Sequence, residues 1–87
     1  MRIFTRGTLR KFWEIYPDVI ENTSFQRPND VINHFKNADV LGNGRIVFNI
    51  TKNKYRLIAK FEYEKQFVFV RFVGTHKEYD RIDATKI

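Results

Sequence analysis

From Arg45 onward, apolar and polar residues alternate with a period of two. Ile46, Phe48 and Ile50 share one face of the segment 45–51. In the segment 54–63, Tyr55, Leu57, Ala59, Phe61 and Tyr63 share one face, and Lys54, Arg56, Ile58, Lys60 and Glu62 share the other. This alternation predicts strands in a sheet with one packed face and one wetter face. Lys52-Asn53 and Glu64-Lys65-Gln66 are polar breaks of hairpin-turn length. The segments 45–51, 54–63 and 67–74 are therefore expected to form an antiparallel meander.

The period changes in the first half. Leu9, Phe12, Trp13 and Tyr16 fall at i, i+3, i+4 and i+7, a single helical stripe, with Arg6, Arg10, Lys11 and Glu14 opposite. Thr5 can cap this helix, and Pro17 is expected to end it. Asn22-Thr23-Ser24 reads as a loop. Pro28 suits the first position of a second helix, where Asn29 and Asp30 favour the dipole and Val31, Ile32 and Phe35 supply an apolar face. Gly42-Asn43-Gly44 marks a turn that ends the helical signals, and Arg2-Ile3-Phe4 reads as a short strand. The expectation is an α+β fold. It has a short N-terminal strand, two helices packed on one face of an antiparallel sheet with three C-terminal strands, and a closing C-terminal turn or helix.

The 87 residues make one domain, 1–87, whose thin stability margin is offset by nine Phe, four Tyr and one Trp. The chain has no cysteine, which rules out disulfides and thiolate sites and fits a reducing, cytoplasmic setting. No apolar run reaches the roughly 20 residues of a membrane span. A formal net charge of +6 favours a polyanionic partner.

The candidate chemistry gathers at one strand end. Lys54, Arg56 and Lys60 project from the wetter face as a cationic stripe, in which the arginine can grip phosphate bidentately. The apolar strand Phe67–Gly74 hands over directly to Thr75-His76-Lys77-Glu78-Tyr79. An imidazole with an ordinary pKa near 6.5 suits proton transfer at neutrality, so His76 is a candidate acid–base group. A turn histidine also serves simply as a solvated surface residue. Tyr79 can stack on a base, hold a phosphate oxygen, or pack on the sheet edge. Arg71 either faces inward against Glu62 or Asp80, or joins the cationic floor. His34, between apolar helix positions, reads as structural or surface-exposed. Two histidines without suitable carboxylate spacing match no standard zinc pattern, and no phosphate loop or nucleophile elbow is present. No metal or other cofactor is expected.

Several stretches resemble the HigB-type toxins of the RelE superfamily: Val47-Phe48-Asn49-Ile50, Asn53-Lys54-Tyr55-Arg56-Leu57, and above all Phe72-Val73-Gly74-Thr75-His76-Lys77-Glu78-Tyr79-Asp80. Ala38-Asp39-Val40, Gly42-Asn43, Arg2-Ile3 and Phe12-Trp13 also fit, so the resemblance spans nearly the whole chain. It implies a RelE-like fold and the toxin half of a type II toxin–antitoxin pair, an endoribonuclease that cuts mRNA on the translating ribosome. A helix-turn-helix antitoxin of the HigA type is the implied partner, with operator DNA reached only through that antitoxin. By the same correspondence Arg56, His76 and Tyr79 fall at catalytic positions, and Lys54 and Lys77 at RNA-contacting ones. Lys60 and Arg71 extend the RNA-binding floor. One departure concerns the segment between Pro17 and Pro28. It is shorter than its family counterpart, which carries an additional Trp-containing stretch, and this bears on antitoxin or ribosome docking.

The expected reaction is attack of the mRNA 2′-hydroxyl on its own neighbouring phosphate, which needs no protein nucleophile or metal and spares DNA. Two rival readings use the same residues. One is a non-catalytic RNA- or ribosome-binding module. The other is a degenerate toxin that keeps only antitoxin binding.

Overall fold

The alternating segments become strands of one sheet. The computed structural model describes residues 1–5, 16–50, 52 and 54–87. In chain order the elements are β1 (Arg2–Phe4), α1 (Tyr16–Glu21), α2 (Pro28–His34), β2 (Ala38–Gly42), β3 (Arg45–Ile50), β4 (Tyr55–Glu62), β5 (Phe67–Thr75) and α3 (His76–Tyr79). The five strands lie in the order β1-β5-β4-β3-β2. Strands β2 to β5 pair antiparallel, as the meander requires, but β1 lies parallel to β5, with Ile3 opposite Val68.

The fold is thus α+β with a mixed sheet, which corrects two expectations. The sheet is not purely antiparallel, because the first strand docks beside the last, with the helices and the meander between them in sequence. It also holds a strand, β2, in a stretch that the sequence reading left without one. Ala-Asp-Val-Leu-Gly is short and only half alternates, and its pairing with β3 shifts register between Val40 and Gly42. The chain also stays helical past Pro17, to Glu21. α1 places Ile20 wholly in the core. The apolar stripe Leu9, Phe12 and Trp13 and its polar counterface lie outside the described residues.

One face of the sheet packs on the helices. Ile46, Phe48, Ile50, Leu57, Ala59 and Phe61 form a buried cluster with Ile20 of α1, Val31 of α2, Phe25 and Phe35. Rings meet edge to face across the layers, Phe35 on Phe48 at 5.5 Å and Phe25 on Phe61 at 6.5 Å. Each such side chain stabilises the fold by about 1.5–3 kcal/mol through burial. Pro28 opens α2 as predicted, and the Asp30 carboxylate accepts from the Gln26 backbone N–H at 2.9 Å. Gln66 ties the turn between β4 and β5 to the loop before α2, donating to the carbonyls of Phe25 and Tyr63, both at 2.7 Å.

The opposite face is less wet than the alternation suggests. Val47 and Ile58 are cross-strand partners on it, and both are buried. The residues after α3 return towards the start of β3. There the Arg45 guanidinium donates to the Ile87 carbonyl oxygen at 2.7 and 2.9 Å, and the Asn43 amide donates to that of Thr85 at 3.2 Å. In β5 the register steps from Val70 opposite Ala59 to Phe72 opposite Ile58, so Arg71 is the extra residue of a bulge. The bulge lets Val70 and Val73 both pack against the helical-side core.

Among the described residues, two buried side-chain polar atoms lack a hydrogen-bond partner: the Arg56 Nε and the Tyr63 hydroxyl. Burial, followed by the negative charge of Asp30, pushes the Tyr63 phenol up to about 12. Unfolded tyrosine ionises near pH 10, so this contribution to stability is intact below about pH 10 and is lost as the pH climbs through the folded value. Tyr63→Phe should be neutral or stabilising by about 1 kcal/mol at pH 7. It should also lose less stability than the wild type between pH 9 and 11, as read by urea unfolding at each pH.

Candidate RNA-cleaving site

The candidate site is built where β4 and β5 end side by side. Arg56 lies opposite Gly74 and Tyr55 opposite Thr75, and α3 starts at the next residue, His76. Residues three apart share a helix face, so His76 and Tyr79 project from the same side of α3. Lys54 stands one step beyond the last ladder pair on the other strand, level with His76.

A capping box fixes the start of α3. The Thr75 hydroxyl accepts from the Glu78 backbone N–H at 3.2 Å, and the Glu78 carboxylate accepts from the Thr75 backbone N–H at 2.9 Å. These bonds to Thr75 hold the Glu78 carboxyl below its usual value, so it stays ionised in the cap. The pattern Thr-x-x-Glu behind an apolar strand was legible as a cap in the sequence. Thr75 and Glu78 are therefore positioning residues beyond those expected from the sequence.

The Arg56 guanidinium lies over the Tyr79 ring, its central carbon 4.5 Å from the ring centre. Its Nε is enclosed and lacks a hydrogen-bond partner among the described residues. A buried charged donor left unpaired is costly, and the rest of the half-buried guanidinium is the part a phosphate could grip. Gly74 makes this arrangement possible. A Cβ there would come within 2.5 Å of Phe72 Cζ and 3.2 Å of Glu78 Cβ, so the missing side chain is what lets α3 sit tight against the strand end. Gly74→Ala should lower stability by roughly 1–3 kcal/mol through overpacking. It should also disturb the Arg56–Tyr79 stack, which thermal melts and the tyrosine ring shifts in NMR spectra would report.

The structure groups Arg56, Tyr79, His76, Lys54 and Lys77 at one end of the sheet. His76, Lys54 and Lys77 are exposed, whereas Arg56 and Tyr79 are half-buried. Lys60 and Arg71 lie elsewhere. Lys60 is four residues along β4 from Arg56, about 13 Å at the strand rise, and its ammonium is bridged to Glu62 at 3.1 Å. Arg71 takes the outward of its two possible placements, exposed on the bulge with its guanidinium 5.6 Å from the Phe69 ring centre. His34 is exposed and meets Phe25 and Phe35 edge-on, in line with a structural or surface role.

Comparison with known proteins places this geometry in context. The profile of the HigB toxin family, the RelE-like toxic component of a toxin–antitoxin system, matches residues 11–82. The chain is 29% identical over 100 residues to the mRNA interferase toxin HigB of Escherichia coli strain K12, covering 97% of this chain and 92% of that protein. The mRNA interferases HigB of Escherichia coli O157:H7 and Shigella flexneri match with the same identity and coverage. That alignment of 100 residues is longer than the 87-residue chain, so these relatives carry insertions that this chain lacks. The family match takes in both the strand end that carries Arg56 and the capped turn that carries His76 and Tyr79. On these grounds the chain belongs to the HigB family of RelE-like toxins.

Proposed function

We propose that this chain is an endoribonuclease toxin that cleaves mRNA at the Arg56–His76–Tyr79 site, on the translating ribosome, and is held in check in the cytoplasm by a helix-turn-helix antitoxin of the HigA type. The sheet and helices are read as a RelE-like arrangement. The observation that carries the proposal is the Arg56–Tyr79 stack, whose enclosed Nε–H lacks a partner, beside an exposed histidine on a capped turn.

The reaction follows from the chemistry of these groups. The 2′-oxygen forms a bond to the neighbouring phosphorus, and the bond from phosphorus to the 5′-oxygen breaks. This leaves a 2′,3′-cyclic phosphate and a 5′-hydroxyl. His76 carries one of the two proton transfers, either from the 2′-hydroxyl or to the departing 5′-oxygen, and solvent carries the other. Arg56 presents its planar fork to the phosphate oxygens as negative charge grows on them, with Lys54 assisting. Tyr79 backs the guanidinium and orients the scissile nucleotide. Lys77, exposed beside His76, contacts the RNA backbone, and Lys60 and Arg71 extend that contact along the sheet.

The test is induced expression in a bacterial host of the wild type, Arg56→Ala and His76→Ala, with growth and mRNA 5′ ends followed together. Growth arrest with new mRNA ends in the wild type alone supports the proposal. Normal growth and intact mRNA with soluble wild-type protein would favour a binding module or a toxin that keeps only antitoxin binding.

A further inference from the structure

The sheet face away from the helices carries a second aromatic cluster that the core does not use. Phe4 stacks on Phe69 at 5.1 Å and 17°, and meets Phe67 edge-on at 5.2 Å. Among the described residues, none of the three rings joins the helix-side core, although their neighbours Ile3 and Val70 do. All three are half-buried. A guanidinium lies at each member of the stacked pair: Arg2 over Phe4 at 5.2 Å and Arg71 over Phe69 at 5.6 Å. Both arginines are exposed, and neither forms an ion pair among the described residues, unlike Lys60 nearby, which is bridged to Glu62.

We infer that Arg2, Phe4, Phe69 and Arg71 form a second RNA-contacting subsite, which holds a single-stranded stretch of the same RNA away from the scissile phosphate. The inference rests on the nuclease reading above and adds to it a place where the strand runs. Two arguments favour RNA over a protein surface. First, each guanidinium is held over a ring, at 5.2 and 5.6 Å from its centre, and pairs with no carboxylate among the described residues, so it can meet a phosphate. Aromatic rings flanked by unpaired cations are the working parts of single-strand binding platforms. Second, the subsite shares its sheet face with the cleavage site. On β5 the residues facing that way run from Gly74 at the cleavage end through Phe72 to Phe69, opposite Arg56, Ile58 and Lys60 on β4. Gly74 and Phe69 lie opposite Arg56 and Lys60, which are four residues apart, roughly 13 Å of strand. That is within the reach of a strand of about 4–16 nucleotides, the range of known single-strand sites.

The test uses 4- and 12-nucleotide RNAs with 2′-O-methyl groups at every position, so that binding is read without cleavage. Fluorescence anisotropy across a salt series would compare the wild type with Arg2→Gln/Arg71→Gln. A Lys36→Gln/Lys86→Gln control would remove the same charge elsewhere on the surface. The expected result is weaker binding of the 12-mer by the first double variant only. Its slope of log affinity against log salt should become shallower by about 1.4, the value for two single-strand phosphate contacts, while the 4-mer is unaffected. The inference is overturned by a wild type that does not bind the 12-mer, by equal losses for both RNAs, or by equal losses in both double variants. Unchanged RNA binding in the arginine double variant also overturns it, and would leave the cluster as a β1-docking patch or a protein contact. The nuclease reading fails separately, if the wild type binds the 12-mer through these arginines but cuts no ribosome-bound mRNA.

Discussion

Arg56→Ala should reduce RNA cleavage by roughly 10²–10³-fold, the usual loss when a pre-organised donor to a charged transition state is removed. The argument begins at β4, where alternation places Arg56 on the face away from the helical core, opposite Gly74. Its guanidinium is pre-positioned on the Tyr79 ring, with an Nε–H that finds no acceptor among the described residues. An arriving phosphate therefore meets a guanidinium whose place is already set by the Tyr79 ring. The same fact limits the effect on folding. Alanine removes the unsatisfied donor and also loses a cation–π contact of about 0.5–1 kcal/mol, so the unfolding midpoint should move little. Arg56→Lys separates charge from geometry. Lysine keeps the charge but lacks the planar fork that lies over Tyr79, so it should restore little activity. Steady-state cleavage of a defined RNA, measured beside thermal melts, checks both expectations. Near-wild-type cleavage by Arg56→Lys would reduce the residue to a general electrostatic contact.

His76→Ala should cost roughly 10²–10⁴-fold in cleavage rate, the usual contribution of an acid–base group. His76 is exposed at the first position of α3, and its backbone carbonyl closes that turn by accepting from the Asp80 N–H at 3.0 Å. The imidazole can therefore be removed without opening the core, and stability should stay within about 0.5 kcal/mol of the wild type. Steady-state cleavage of a defined message by the two proteins, read beside thermal melts, checks both expectations. Near-wild-type cleavage by the variant would assign the proton transfer to another group. A pH effect acts through the cap. The Glu78 carboxyl is held below its usual value by its bonds to Thr75. Its contribution is present above the ordinary carboxylate range and is lost as the pH falls through the folded value. The start of α3 should therefore loosen only in acid.

The readability of the sequence varied from element to element. The meander was plain because Ile46, Phe48 and Ile50, then Leu57, Ala59 and Phe61, repeat at a period of two and lie together in the core. Strand β2 escaped because Ala38-Asp39-Val40-Leu41-Gly42 is too short and too irregular to show a period. The parallel pairing of β1 with β5 escaped because three residues, Arg2–Phe4, carry no mark of their partner. The bulge at Arg71 escaped for a different reason. Every residue from Phe67 to Val73 except Arg71 is apolar, so the pattern did not reveal which face each one takes. At the candidate site, the identities of Arg56, His76 and Tyr79 could be picked out. Their juxtaposition depends on Gly74 and on the Thr75–Glu78 cap, which act through backbone packing rather than through side-chain chemistry.

The central claim is cleavage by the RNA's own 2′-hydroxyl at the Arg56–His76–Tyr79 site. The most direct measurement incubates purified toxin with ribosome-bound mRNA and identifies the new ends. Matched messages would carry either a ribose or a single 2′-deoxyribose at the cut position. The account predicts a 2′,3′-cyclic phosphate and a 5′-hydroxyl from the all-ribose message, and no cut at the deoxy position. Cleavage at the deoxy position, or ends bearing a 5′-phosphate, would contradict it.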